Sequence, residues 1–486
     1  MTTRIVAVAA LGLLCHANAV SAQDNSGACA KILEPANGRP VFGGGWVGQV
    51  AANKLNSPRG IILDNNGNLL VVERSRGIRR ITWKDDGGVC VNVDKSESLV
   101  QMSELNHGIE LSEDGKTLYA STADVVYSWN YDAAAGTVSD RKTLVQNMTN
   151  SGHTSRTLML SRKQKGMLLV SRGSAENMDM KTRNVASGIS QIRAFDLNNM
   201  PDGRPFNHAS EGKLIGWGLR NSVGIAEHPV TGGIYSVENS ADDVERMGRD
   251  IHRDNPGEEM NFHGPLNDSS LHGRNYGYPD CFALWDTNIP DRGSMTTGSQ
   301  FALGNIQGVN DEKCAKDYQA PRLTFEAHTA PLDMKFSKDG SEAYVSFHGS
   351  WNRDDPIGYR LSRIQFENGE PKERPDSRSP TSDIMSNPDL SACPRDRCFR
   401  PVGLAVDSQG RIFMSSDSTG EIFVLRQADK STSGTGNGGN NAGGGNGSAA
   451  LWFMNTQYES HPSPLILVAP VYLEVSCLCC TIATPD

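Results

Sequence analysis

Six segments of the 486-residue chain repeat one pattern: a polar loop, a short apolar run, a tight turn and a second apolar run. They begin at Ser57 (SPRG-IILD-NNGN-LLVVER), Leu105 (LNHG-IELS-EDGK-TLYAST), Gly152 (GHTS-RTLMLS-RKQKG-MLLVSRG), Leu219, His328 and Phe399. The turns Asn65-Asn66-Gly67, Glu113-Asp114-Gly115, Lys338-Asp339-Gly340 and Ser408-Gln409-Gly410 carry residues that accept φ > 0, so each segment reads as a β-hairpin. Six hairpins in series predict an all-β chain, a six-bladed β-propeller, because a closed ring leaves only short, protected sheet edges. The uneven spacing predicts long insertions between blades, chiefly residues 174–218 and 243–327.

In such a ring, the residues before each first strand and after each second strand emerge on one face around the central channel. That rule collects Arg59, Arg74, His107, His153, Arg156, Arg172, Arg220, Asn221, Asn239, Ser240, His328, His348, Trp351, Asn352, Arg353, Arg400 and Asp417. Rim loops without a task favour Ser, Gly, Asp and Asn, so this wealth of Arg and His predicts a binding site. Arginines converging on one mouth suit a planar, carboxylated small molecule held by bidentate contacts.

Composition narrows the partners. Lys and Arg total 47 against 56 Asp and Glu, a net charge of −9, which argues against nucleic acid. Residues 1–22 read as a signal peptide: Arg4, the apolar run Ile5 to Leu14, and a small-residue cleavage site at Val20-Ser21-Ala22. The run is too short to span a membrane, so a secreted, extracellular protein without stable membrane insertion is expected, its propeller covering residues 23–428. An oxidising compartment permits disulfides. Six body cysteines (29, 90, 281, 314, 393 and 398) are expected to pair in sequence order, Cys393–Cys398 most clearly, with other connectivities open. Sequons at Asn147, Asn267 and Asn446 suit a glycoprotein. Residues 429–450 read as a Gly/Asn/Ser-rich linker and 451–486 as an atypical, disordered tail. A lipid anchor is the lesser reading there, because Glu474 interrupts the apolar stretch.

Four motifs, SGHTSRTL (151–158), WGLRNSVGIAEHP (217–229), NYGYPDC (275–281) and SFHGSWNR (346–353), resemble the quinoprotein glucose/sorbosone dehydrogenases. Within that family the likeness is strongest to the fungal pyranose dehydrogenases dependent on pyrroloquinoline quinone (PQQ). The resemblance spans about residues 30–428 and implies PQQ over the propeller axis with Ca²⁺ beside it. It implies that His153 is the catalytic base, taking the proton of a sugar C1 hydroxyl as hydride passes to the quinone C5. It also implies that Arg220 and Asn221 contact the quinone's carbonyl edge, where a cation such as Arg220 stabilises developing charge. Arg74 becomes the candidate for a PQQ carboxylate. His348, Trp351, Asn352 and Arg353 become further cofactor contacts, and the backbone carbonyls of Ser240 and Ala241 the Ca²⁺ ligands. Bacterial members use a lysine and arginines where this chain has HGSWNR, which opens the question of substrate. The resemblance implies a small sugar as substrate. Without a C-x-x-C-H haem motif, or room for a cytochrome domain between Gln23 and the first blade, an external electron acceptor is expected, such as an extracellular haem protein or a copper enzyme.

Other readings are weaker. Gly43 to Gly48 matches G-x-G-x-x-G, but Pro58 and a hairpin follow too closely for the required helix. A propeller lactonase would present acidic metal ligands at the mouth rather than arginines. A secreted propeller that binds sugar or a protein partner without catalysis remains the non-enzymatic alternative.

Overall fold

The computed structural model describes residues 29–393 and 397–428; the leader, the linker, the tail and the Asn446 sequon lie outside the described residues. Six units follow one another along the chain, each built on four antiparallel strands, with further edge strands added to three of them. Blade 1 comprises Pro58–Leu63, Leu69–Glu73, Gly77–Asp85 and Val91–Gln101. Blade 2 comprises Ile109–Leu111, Thr117–Ser121, Val126–Asp132 and Thr137–Gln146. Blade 3 comprises Leu158–Leu160, Met167–Arg172, Gln191–Asp196 and Lys213–Trp217. Blade 4 comprises Ser222–Glu227, Gly233–Glu238, Glu258–Pro265 and Leu323–Phe325. Blade 5 comprises Pro331–Phe336, Glu342–Phe347, Arg360–Glu367 and Ser382–Ser386. Blade 6 comprises Pro401–Val406, Ile412–Ser416 and Glu421–Gln427, and the N-terminal strand Trp46–Ala52 supplies its outer edge. The six innermost strands touch in a closed cycle, so the ring is a six-bladed propeller.

The blade interfaces explain why the second strands read as unbroken apolar runs. Leu69 and Val71 pack toward blade 6, whereas Leu70 and Val72 pack toward blade 2. Leu168 and Val170 likewise face blade 2 while Leu169 faces blade 4. A strand buried on both faces has no polar side to alternate with. Each such side chain contributes about 1.5–3 kcal/mol when removed from water.

The repeated glycine of the first strands has a steric cause. A Cβ on Gly60 would stand 2.1 Å from the His107 carbonyl oxygen, one on Gly108 2.1 Å from that of Arg156, and one on Gly403 2.4 Å from that of Arg59. Each glycine thus lets the next blade's innermost strand approach the axis. Hydroxyls fasten the same seams: Ser121 Oγ donates to the Arg156 carbonyl, Ser346 Oγ to that of Val402, and Ser415 Oγ to that of Arg59.

One expectation changes in detail. The stretches 174–218 and 243–327 are not simple insertions, since they hold the outer strands of blades 3 and 4. The longer one also forms a subdomain with its own core, including Tyr278, Phe282, Leu284 and Phe301. The Gly43–Gly48 segment turns into the ring-closing strand, with Trp46 buried against Tyr344. The three disulfides are Cys29–Cys90, Cys281–Cys314 and Cys393–Cys398, the sequential pairing. Asn147 and Asn267 are exposed. Among the described residues no helix is long and apolar enough to cross a membrane.

Candidate active site

The loops that precede the first strands meet around the axis on one face, as a chain of contacts through all six blades shows. Arg59 Nη1 (blade 1) donates to Asp417 Oδ2 (blade 6) over 2.6 Å, and Arg400 Nε of blade 6 donates to the His348 carbonyl of blade 5. Asn239 Nδ2 of blade 4 donates to the Pro331 carbonyl at the start of blade 5. The Ser174 amide, just past the second strand of blade 3, donates to the Arg220 carbonyl of blade 4. Asn106 of blade 2 donates to the Thr154 carbonyl of blade 3, and the His107 carbonyl abuts Gly60 of blade 1.

His153 sits on the loop entering blade 3. Its Nδ1 lies 2.9 Å from Ser174 Oγ and 3.1 Å from the Ser174 carbonyl. The Ser174 hydroxyl uses its one proton to donate to the Glu176 carbonyl, so both Ser174 oxygens act as acceptors toward the ring. The proton therefore resides on Nδ1 and the lone pair on Nε2. Burial, reinforced by the nearby Arg220 guanidinium, lowers the His153 pKa to about 4, so the ring is neutral at ordinary pH. Arg156, fully buried, fastens this loop: it donates to the carbonyls of Met148, His153 and Ser155 and to Asn150 Oδ1.

Arg220 is buried and pinned. Its Nε donates to the Asn177 carbonyl and its Nη2 to Asn177 Oδ1 at 2.8 Å, with Asp242 Oδ2 at 3.4 Å. The Asn221 amide, also buried, makes no side-chain hydrogen bond among the described residues, and its Oδ1 would meet any Cβ on Gly173 at 2.7 Å. His348 Nε2 donates to Asp417 Oδ1 at 2.8 Å, which leaves its Nδ1 as an acceptor. Burial holds the His348 pKa below the ordinary value against the pull of Asp417.

Asn352 and Arg353 are held by the subdomain of residues 243–327 and the loop before it. Asn352 Nδ2 donates to Asp242 Oδ1 at 2.8 Å, and Arg353 Nη1 donates to the Arg253 carbonyl at 2.7 Å. Trp351 stands apart, 73% exposed and without a ring partner among the described residues. It is therefore not a core aromatic of the blade end. Arg74 has no side-chain hydrogen bond among the described residues; burial and the Arg59 charge hold its pKa below the ordinary arginine value.

Most arginines at the mouth are held by the protein itself. Arg156, Arg172 and Arg400 donate to backbone carbonyls, and Arg59 is paired with Asp417. Most rim arginines fasten loops; Arg74 is the one whose side chain makes no hydrogen bond among the described residues.

Ser240 and Ala241 follow the second strand of blade 4. The Ser240 amide donates to Glu258 Oε2, and no hydrogen bond to either residue's carbonyl is found among the described residues. No cluster of three or more His, Cys, Asp or Glu side chains that could hold a metal ion occurs among the described residues.

The family model described as TrAA12-like matches residues 40–428, the length of the propeller. The chain belongs to the TrAA12-like family. A Hypocrea jecorina protein called pyrroloquinoline quinone-dependent sugar dehydrogenase is 48% identical over 402 residues, covering 82% of this chain and 91% of its own length. A Coprinopsis cinerea pyrroloquinoline quinone-dependent pyranose dehydrogenase is 38% identical, covering 80% of this chain; the match spans about half (53%) of that protein. Among solved structures, the calcium structure of a Trichoderma reesei family AA12 enzyme superposes with a TM-score of 0.80 at 48% identity, over 82% of this chain and 99% of that one. The holo form of the Coprinopsis PQQ domain gives 0.77 at 36% identity, over 82% and 99%. A Streptomyces coelicolor aldose sugar dehydrogenase, 16% identical with a TM-score of 0.52, shares the fold alone.

Sequence reasoning missed two residues that hydrogen-bond the side chains of predicted site residues, Ser174 at His153 and Asn177 at Arg220. Ser174 lies just past a second strand, where the rim rule would have found it. Asn177 lies in the following loop, outside the repeat, and no pattern marks it.

Proposed function

We propose that this chain is a secreted, PQQ-dependent sugar dehydrogenase that oxidises a pyranose at C1, with His153 as the base, and passes electrons to an external acceptor. The reading rests first on one observation: a neutral imidazole with its Nε2 lone pair free, beside the buried Arg220 and the unpartnered Asn221 amide. The named activities of relatives covering four-fifths of the chain point the same way.

The residues fit a planar tricarboxylate quinone. Arg74 is a guanidinium without a hydrogen-bond partner among the described residues, and Asn352 Oδ1 and Arg353 Nε are buried polar atoms lacking one. Such orphans are costly unless a ligand completes them. Arg74 would take a carboxylate, and Arg220, Asn221, His348, Asn352 and Arg353 would line the quinone. Ser240 and Ala241 carbonyls would bind Ca²⁺. Trp351, being exposed, would lie at the outer edge of this arrangement.

When bound, PQQ supplies a two-electron acceptor for the hydride. The chain's own residues supply the rest. His153 Nε2 accepts the sugar hydroxyl proton, and Ser174 stabilises the ring as its Nδ1–H becomes part of an imidazolium. Arg220, fixed by Asn177, presents positive charge without reorganising.

A sugar panel with PQQ-reconstituted protein, run beside His153→Ala, tests the reading. Reduced-quinone absorbance should develop with at least one pyranose and fall by about 10²–10⁴-fold in the variant. Equal rates in both proteins would remove His153 from the mechanism. No reduction by any sugar would favour a binding propeller.

A further inference from the structure

Asp242 lies where three parts of the chain meet. Its Oδ1 accepts from Asn352 Nδ2 at 2.8 Å and lies 3.3 Å from His328 Nδ1, while its Oδ2 lies 3.4 Å from Arg220 Nη2. Its backbone is held too: the Asn177 amide accepts from the Asp242 N–H at 2.9 Å and donates to the Asp242 carbonyl at 2.7 Å. The same Asn177 Oδ1 accepts from Arg220.

The contacts close into a circuit. His328 Nε2 donates to the His252 carbonyl at 2.6 Å, and the His252 ring accepts from the Asp243 amide at Nδ1. His252 Nε2 therefore carries its proton and donates to the Asn352 carbonyl at 3.2 Å. The two rings meet edge-on, 4.4 Å between centroids. Asn352 is thus gripped at its side chain by Asp242 and at its backbone by His252.

This grip decides which way the Asn352 amide points. A carboxylate only accepts, so Nδ2 must face Asp242, and Oδ1 is turned away as a buried acceptor without a partner. The geometry points to Asp242 as a positioning residue of the cofactor site, one carboxylate that sets both the amide orientation of Asn352 from blade 5 and the guanidinium of Arg220 from blade 4. The assignment rests on the proposed function, because Asn352 and Arg220 matter here as cofactor contacts. His328 and His252 keep the carboxylate in place.

Titration of full-length apoprotein with PQQ, followed by intrinsic fluorescence, tests the assignment with Asp242→Asn, Asn352→Ala and the double variant. Asp242→Asn is isosteric but can donate, so the Asn352 amide loses its fixed sense. The Kd for PQQ is expected to rise roughly tenfold to a hundredfold, the range for a charged hydrogen bond. Asn352→Ala should cost about tenfold in the wild-type background and under about threefold beside Asp242→Asn, because the amide is already unset. A purely structural role would lower Tm without that coupling. Additive losses, or a wild-type Kd in Asp242→Asn while Asn352→Ala and Arg220→Ala bind weakly, would overturn the positioning role alone. Wild-type Kd values in both Asn352→Ala and Arg220→Ala would overturn the cofactor reading and this assignment with it. Should Asp242→Asn not yield folded protein, His328→Ala removes the second donor to the carboxylate, and an unchanged PQQ Kd there counts equally against the assignment.

Discussion

The Oγ atom of Ser174 lies 2.9 Å from Nδ1 of His153, and its own proton is committed to the Glu176 carbonyl. A residue past the second strand of blade 3 thereby fixes the tautomer of a residue before the first. The sheet joins them, since the two strands are antiparallel neighbours.

Ser174→Ala should lower kcat by roughly ten- to a hundredfold, the scale of losing a group that orients a histidine. The Ser174 hydroxyl bonds His153 and the Glu176 carbonyl rather than any of the proposed PQQ contacts, so PQQ affinity should change little. Steady-state kinetics beside a PQQ titration separates the two effects. A loss confined to PQQ binding would contradict the assignment.

The base must be neutral to accept a proton. With burial and Arg220 lowering the His153 pKa to about 4, kcat/KM should rise with pH up to about 4 and stay level through neutrality. A pH–rate profile reads this directly. An inflection near about 6.5, the value of a free imidazole, would show that His153 is not shielded as described.

Glu259, buried on the third strand of blade 4 and accepting from Asn261 Nδ2, has its pKa pushed up to about 7, first by burial. The folded state keeps this proton up to about 7, whereas the unfolded chain gives it up near about 4.3. Its contribution to stability is therefore full below about 4.3 and is lost as pH rises toward 7. Glu259→Gln cannot ionise, so its stability relative to wild type should increase between those limits, by on the order of 1–3 kcal/mol. Urea unfolding of both proteins at pH 4.5 and pH 7.5 measures the change; parallel behaviour at the two values would refute it.

Gly60→Ala should destabilise the ring by about 1–3 kcal/mol or more, because the new methyl meets the His107 backbone oxygen, which cannot swing aside. Gly67→Ala, at a hairpin tip with open space around its Cβ, supplies the contrast, although its φ of +79° still disfavours alanine. Thermal unfolding of both should show the larger loss at Gly60.

Much of the fold was legible because its determinants are local. The turn at Asn65-Asn66-Gly67 and the run Leu69 to Val72 specify a hairpin without reference to the rest of the chain. Third and fourth strands such as Val91–Gln101 are half exposed and mixed in composition, and those of blades 3 and 4 are separated by long loops. They carry no comparable signal. Trp46–Ala52 was hidden for another reason: its partner, Glu421–Gln427, lies at the far end of the described chain.

The site divides along the same line. By itself the sequence determined which residues flank the outer ends of each hairpin, since a β-hairpin puts both of those ends on one side whatever surrounds it. It therefore placed His153, Arg220, Asn221, His348 and Asn352 on a common rim. Only the tertiary structure decided what each of them does there. Arg156 and Arg400 became loop fasteners, Arg74 kept its donors, and Asp242 joined two blades, because hydrogen-bond partners are chosen by atoms brought within about 3 Å from distant parts of the chain.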